Sequence, residues 1–322
     1  MNTHSMRTEA VLARGLTKSY GPVHAVCGLD LTVHAGEAFG FLGPNGAGKS
    51  TSIAMLSTLL RPTAGRAEVA GHDIRDEQDA VRRAIGIVFQ ETTVDVDLTA
   101  EENLRFHADL YGMPRREARG RIASMLDLVG LTERSTRAVR TFSGGMRRRL
   151  EIARGMLHTP RVLFLDEPTT GLDPQTRAAI WGYLHRLREE SGTTLFMTTH
   201  QLEEAEHCDR IAVVDEGRVV VEGSPAQLKA VIGDDLVVLR TRDNDSALRS
   251  VREQFGLRAV VEESELRVRV ADGAAFVPRL CRQLTVPVYS VSVTSPTLDD
   301  VFLHYTGRTI READIRGPEA KG

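Results

Sequence analysis

The sequence predicts an α/β protein: a parallel sheet with helices on both faces, interrupted by a helical insert and followed by a small α+β domain. Three observations predict this. A strand-like run, Glu37–Leu42, leads directly into a glycine-rich loop and a helix. A continuous apolar run, Arg161–Asp166, ends in a carboxylate, which suits a buried parallel strand better than an alternating surface one. From there strand and helix patterns alternate, the signature of crossover units on a parallel sheet.

The elements follow in order. Ala10–Glu68 reads as short apolar strands with turns, ending in the glycine-rich loop and a helix over Thr51–Leu60. Arg83–Gln90 reads as a strand that stops at a glutamine. The period then changes. Thr99 and Glu102 form a capping box opening a helix to about Tyr111, and Gly112-Met113-Pro114 breaks it. A second helix covers Arg115–Val129, with Ile122, Met125, Leu126 and Val129 on one face. The helical insert therefore occupies about residues 91–150. The core resumes with strand Arg161–Asp166, helix Pro174–Glu190, strand Thr193–Thr198, helix Gln201–Cys208 and strand Arg210–Asp215. The composition shifts near Gly233-Asp234-Asp235, so a first domain is expected over 8–233 and a second over 234–307. The second reads βαββαβ, the split βαβ order of a ferredoxin-like fold. Thr297 and Asp300 make another capping box before a short helix, and residues 308–322 are polar and expected to be disordered.

Composition limits the function. At 322 residues the chain can bury a large core and a smaller one. A net charge of −3 argues against nucleic acid as a partner. Cys27, Cys208 and Cys281 are scattered and odd in number, which favours a reducing compartment without disulfides. No stretch approaches the roughly 18 apolar residues of a membrane span, and Met1–Ala10 lacks the apolar segment of a signal peptide. The chain is expected in the cytosol, with any membrane location supplied by a partner.

The loop Gly43-Pro44-Asn45-Gly46-Ala47-Gly48-Lys49-Ser50-Thr51 describes a nucleoside triphosphate site. Glycines at 43, 46 and 48 let the backbone curl so that successive N–H groups point at phosphate oxygens. Lys49 is placed for the β- and γ-phosphates and Ser50 for Mg²⁺, while the helix that follows turns its positive end toward the anion. The chain has four lysines among its 41 basic residues, and one stands where this loop requires it.

Further motifs narrow the family. Phe142-Ser143-Gly144-Gly145-Met146 precedes a helical run, Val162–Pro168 follows with Asp166-Glu167, then Thr169-Thr170-Gly171-Leu172-Asp173-Pro174, and His200 closes a strand. With the phosphate loop, this set resembles the ATP-binding subunit of ATP-binding cassette transporters, over about residues 8–232. The resemblance implies a P-loop NTPase core of the ABC type with ATP and Mg²⁺ as ligands. Asp166 then helps Ser50 and Gln90 hold Mg²⁺, Glu167 is the general base, and His200 hydrogen-bonds the γ-phosphate and orients the water. Gln90 also reports nucleotide state to the insert. Tyr20 matches the aromatic on which the family stacks adenine. Ser143, Gly144 and Gly145 bind the γ-phosphate of ATP held by a second copy, so a head-to-tail homodimer is implied, with Asp173 at its interface. Met146 replaces the family's usual glutamine and cannot donate a hydrogen bond.

Ser295–Leu303, Thr306-Gly307-Arg308 and Arg147–Leu150 are similar to segments of daunorubicin-resistance ATP-binding subunits. That resemblance implies drug or antibiotic efflux through a separate ABC-2 type permease, at the cytoplasmic face of the cell membrane. Polysaccharide or lipid export by related ABC-2 systems is the alternative. A soluble cassette acting on ribosomes or DNA is disfavoured by the single cassette, the lack of long coiled coils and the charge. Residues 234–307 carry no nucleotide motif, so a regulatory or dimer-stabilising role is expected there.

Overall fold

The computed structural model describes residues 8–262 and 264–310. Within them the chain forms two compact units, one built on the chain up to Pro225 and the other on Ala226–Thr309.

The first unit opens with β1 (Glu9–Tyr20), β2 (Val23–His34), β3 (Ala38–Leu42), α1 (Lys49–Leu56), β4 (Ala64–Val69), β5 (His72–Asp73), α2 (Gln78–Ala84) and β6 (Ile85–Val88). The insert contributes α3 (Ala100–Leu110), α4 (Arg115–Leu128) and α5 (Gly144–Met156). The core then continues through β7 (Val162–Asp166), α6 (Pro174–Ser191), β8 (Thr194–Thr199), α7 (Leu202–Ala205), β9 (Arg210–Asp215) and β10 (Arg218–Gly223), and α8 (Pro225–Ile232) crosses the unit boundary.

The central sheet has the order β10-β9-β3-β8-β7-β6. Strands β6, β7, β8, β3 and β9 are mutually parallel, and β10 adds an antiparallel edge. β3 and β8 are buried along their whole length, as expected of central strands in a sheet covered on both faces. Phe196 sits at the centre of this core, with the rings of Phe39, Phe41 and Phe164 at 5.6, 5.7 and 5.3 Å. Each such buried ring contributes about 1.5–3 kcal/mol relative to exposure. Because β3, β6, β7 and β8 run the same way, the loops that follow them gather at one edge of the sheet, where parallel sheets bind ligands. That edge receives the loop Gly43–Gly48 and residues Gln90, Glu167 and His200.

A second sheet, β2-β1-β4-β5, is antiparallel throughout, and α1 packs between the two, touching β7 on one side and β2 and β4 on the other. Here the expectation of short strands fails: β1 and β2 are 12 residues each. Register shifts within their pairing and left-handed glycines at 15 and 28 break the two-residue period, so one long strand reads as several. Helix α1 ends at Leu56, short of the expected Leu60, because Thr58 turns into the left-handed region at φ 66. Arg83 and Ala84 belong to α2, not to the strand, and Gln90 lies in the exposed bend beyond β6. Helix α2 escaped the sequence reading because it buries Val81 alone and has no apolar stripe. β10 and α8 were also missed, and α7 is one turn rather than the expected eight residues.

In the insert, α3 starts on the expected capping box, with Thr99 accepting from Glu102 N and Glu102 accepting from Thr99 N. Leu104, Ile122, Leu126, Val129 and Leu150 close a separate core among α3, α4 and α5.

The second unit contains β11 (Asp235–Thr241), α9 (Asn244–Phe255), β12 (Ala259–Glu262), β13 (Glu265–Val270), α10 (Gly273–Gln283), β14 (Val288–Thr294) and α11 (Leu298–Thr306). Its sheet order is β12-β13-β11-β14, antiparallel at every pair, the arrangement of a ferredoxin-like fold. Phe276 and Leu280 of α10 and Val251 of α9 pack on its inward strand positions Val237, Leu239 and Val268. The expected disorder of the tail falls mainly on residues 311–322, outside the described residues.

Candidate active site

The phosphate loop needs glycine for two separate reasons. Gly46 and Gly48 sit at φ 80 and 93, a region that costs a side-chain-bearing residue energy. At Gly43 a Cβ would lie 2.3 Å from Val214 O, and at Gly48 2.3 Å from Ala25 O, so no side chain fits either position. Gly48 passes straight into α1, whose first residue is Lys49.

Lys49 is 5% exposed, and its ammonium donates to the carbonyls of Gly43 (2.8 Å) and Pro44 (2.9 Å). It also lies 3.8 Å from Glu167 Oε1. One residue on, Ser50 Oγ donates to Asp166 Oδ1 at 3.1 Å, and Thr198 Oγ1 donates to the same oxygen. A hydroxyl and a carboxylate brought together beside a phosphate loop are hard oxygen donors suited to Mg²⁺, which usually takes few protein ligands and completes its shell with water and substrate phosphates. No cluster of three or more His, Cys, Asp or Glu side chains able to hold a metal occurs among the described residues.

Glu167 is the focus of the arrangement. It is 6% exposed and holds φ 47, an unusual conformation for a residue with a Cβ. Its N–H is fixed by Thr198 O and Thr198 Oγ1, at 3.2 and 3.1 Å. Its carboxylate meets His200 Nδ1 at 3.0 Å and accepts from Gln90 Nε2 and Thr170 Oγ1, each at 3.2 Å. Burial pushes the pKa of this carboxyl up, but His200, Lys49 and Thr170 together outweigh burial and hold it below the usual carboxylate range. Glu167 is therefore an anion at neutral pH, in contact with His200, Gln90 and Thr170 and 3.8 Å from Lys49.

The structure thus brings Lys49, Ser50, Gln90, Asp166, Glu167 and His200 together. Tyr20 ends β1 half exposed, with Lys18 Nζ 5.1 Å from the centroid of its ring. Ser143, Gly144 and Gly145 do not join the group within one chain. Ser143 caps α5 by accepting from Met146 N, and Ser143 and Gly144 face outward. Asp173 likewise caps α6, accepting from Thr176 N at 2.9 Å. Met146 packs against the core of the insert. Sequence reasoning missed Thr198, Thr170 and the role of Arg148, a buried residue of α5 whose guanidinium donates to the carbonyls of Asp166, Glu167 and Pro168.

A model of the ABC transporter family matches residues 26–170. The chain is 44% identical to the daunorubicin/doxorubicin resistance ATP-binding protein DrrA of Streptomyces peucetius, over 99% of this chain and 97% of that one. The chain belongs to the ABC transporter family, as an ATP-binding subunit. The cassette is also 39% identical to the linearmycin resistance ATP-binding protein LnrL of Bacillus subtilis, over 93% of this chain and 99% of that one. Among solved structures it is similar to cbiO1 from Clostridium perfringens, at 31% identity and a TM-score of 0.65, covering 70% of this chain and 93% of that one. Another likeness is a cassette solved as a dimer in a post-hydrolysis state with ADP and Pi, at 30% identity and a TM-score of 0.61, covering 66% of this chain and 98% of that one. The cassette binds ATP and is an ATPase.

Proposed function

We propose that this cassette drives the efflux of a drug, antibiotic or similar amphipathic compound through a separate membrane permease of the ABC-2 type. The observation that carries the chemical part is the convergence of Lys49, Gln90, Thr170 and His200 on the Glu167 carboxylate, beside the Ser50–Asp166 pair. The loop N–H groups and Lys49 hold the β- and γ-phosphates. Ser50, Asp166 and Gln90 would hold Mg²⁺, which would neutralise charge on the phosphates when bound. Glu167 accepts a proton from water as the water oxygen bonds to the γ-phosphorus. The bond from that phosphorus to the bridging oxygen breaks, and ADP leaves with the electron pair. His200, hydrogen-bonded to Glu167, orients the water and the γ-phosphate. Ser143, Gly144 and Gly145 of a second copy close over the nucleotide through the N-terminus of α5, which places Asp173 at the dimer interface.

The export reading draws on the relatives. The two named above are resistance proteins, and both are matched over nearly their full length. Nod factor export ATP-binding protein I of Ralstonia nicotianae, 38% identical over 95% of this chain and 96% of that one, keeps export of other cargo as the second reading. No helix among the described residues is long and apolar enough to cross a membrane, so the permease would hold the cassette at the cytoplasmic face. Its docking site is proposed on the insert side of Gln90, where Leu59, Phe89, His107 and Tyr111 line a cavity of about 280 Å³. Residues 234–307 are assigned an accessory role in assembly.

Transport in inverted membrane vesicles containing the cassette and its permease tests this reading. ATP-driven accumulation of daunorubicin, lost in Lys49→Ala, is expected. ATP hydrolysis stimulated by a glycolipid or polysaccharide, with no response to the drug, would replace drug efflux by the second reading.

A further inference from the structure

Helix α5 is capped by Ser143, yet three side chains along one of its faces reach the other half of the site. Arg148, Glu151 and Arg154 stand three residues apart, so they line up on that face. Arg148 is 7% exposed and Glu151 1%, paired at 3.1 Å between Nη1 and Oε2. A guanidinium offers five N–H donors in a fixed fork, and here they meet five acceptors. Nε donates to Pro168 O at 2.6 Å, Nη2 to Asp166 O and Glu167 O at 3.1 Å each, and Nη1 to Phe89 O as well as to Glu151. Glu151 accepts on its other oxygen from Thr93 N at 2.6 Å, and Arg154 donates to Thr93 O at 2.8 Å and to Thr93 Oγ1. The backbone on both sides of Gln90 and the backbone around Glu167 are thus fastened to one helix.

We propose that Arg148, with Glu151 as its counterion, is a positioning residue for ATP hydrolysis: it fastens the Gln90 loop and the Asp166–Pro168 turn to the helix that starts at Ser143. The left-handed backbone at Glu167 is held from both sides, by Thr198 at its N–H and by Arg148 at its carbonyl. Strain of this kind persists only where neighbours over-determine it. A second copy's nucleotide engaging Ser143 would therefore act on Gln90 and Glu167 of the same chain without passing through the phosphate loop. The inference rests on the assignment of Glu167 and Gln90 to the hydrolytic step.

Lysine carries the same charge on a single ammonium and cannot span the carbonyls of Phe89, Asp166, Glu167 and Pro168. In Arg148→Lys the ATP affinity should stay within about threefold, because Lys49 and the glycine loop are untouched, while kcat falls about tenfold or more, the scale of a misplaced reacting group. A merely structural role would make this loss independent of Gln90. Because Arg148 holds the Gln90 loop as well as the Asp166–Pro168 turn, the loss should be smaller, though not abolished, when Arg148→Lys is made in a Gln90→Ala background. Should Arg148→Lys fail to show a cooperative melt, Glu151→Gln is read the same way, because it keeps the side-chain shape and removes the counterion. A kcat loss below about fivefold in the folded variant, or a loss of equal size with and without Gln90, overturns the proposal. Glu167→Gln measured alongside separates the two readings: if it is inactive while Arg148→Lys is normal, only the clamp fails, and if it turns over normally the assignment of the site fails first.

Discussion

Glu167 combines three properties that seldom occur together: near-complete burial, a left-handed backbone and a carboxylate met by a histidine, a glutamine, a threonine and a lysine. Each has a cost, and together they give an anion of fixed direction next to the phosphate loop. Glu167→Gln keeps the shape and the hydrogen-bonding end but cannot take a proton, so hydrolysis should fall by about 10²-fold or more. ATP affinity, measured by equilibrium binding of a fluorescent analogue, should be retained. Unchanged steady-state turnover would remove Glu167 from the role of base. The residues of this cluster differ in how visible they are in the sequence. Lys49, Ser50, Asp166 and Glu167 lie in contiguous motifs in which each residue type is required by chemistry. Thr198 and Thr170 look like ordinary strand and turn residues, and Arg148 is hidden in the run Arg147–Arg149. Nothing local says that the middle arginine is buried and bound to four carbonyls, because those carbonyls come from two distant loops.

Elements were most legible where one residue pattern governs them alone. The insert helices α3 and α4 were found from a capping box and an apolar stripe, and both appear within a residue of expectation. The long strands β1 and β2 were not, since bulges and left-handed glycines erase the two-residue period that would reveal them. The one-turn α7 buries Glu204 and Ala205 and ends before any helical period can build up. The insert also holds a group that gives it a pH dependence. His107 of α3 is packed with Tyr111 of the same helix, Arg154 of α5 and His158 just beyond α5. Burial, then the charges of Arg154 and His158, lowers its pKa from 6.5 to about 4, and burial lowers that of His158 as well. A depressed histidine is neutral in the fold while the unfolded chain takes up a proton, so its stabilising effect is complete above about pH 6.5 and is lost as pH falls through about 4. The melting temperature should therefore drop on acidification across that window, and His107→Phe should flatten the drop. A wild-type melting curve flat from pH 7 to 4 would contradict this.

At the scale of the whole molecule, the nucleotide motifs lie in the first unit and none in the second, which has its own core of Val237, Leu239, Val251, Val268 and Leu280. Its βαββαβ order was readable because its elements are short, regular and separated by clear turns. What the unit does was not readable, because no residue type in it is demanded by a reaction. Removing Asp234 onward should leave ATP affinity near that of the full chain and reduce recovery of the cassette with its permease in co-expressing membranes. Loss of nucleotide binding by a truncation that still melts cooperatively would show that this unit completes the site. On the proposed mechanism, ATP hydrolysis works through Glu167 at a site closed by the α5 N-terminus of a second copy. Sedimentation of Glu167→Gln with and without Mg-ATP tests it most directly, paired with the same chain carrying Gly144→Asp. Gly144 has open space around a Cβ, its nearest neighbour lying 3.9 Å away, and an aspartate in the first turn favours the helix while repelling phosphate. ATP should convert Glu167→Gln from monomer to dimer, and Gly144→Asp should abolish the dimer while each chain still binds ATP. An ATP-bound Glu167→Gln that stays monomeric, or a Gly144→Asp chain that dimerises as well as its parent, would contradict it.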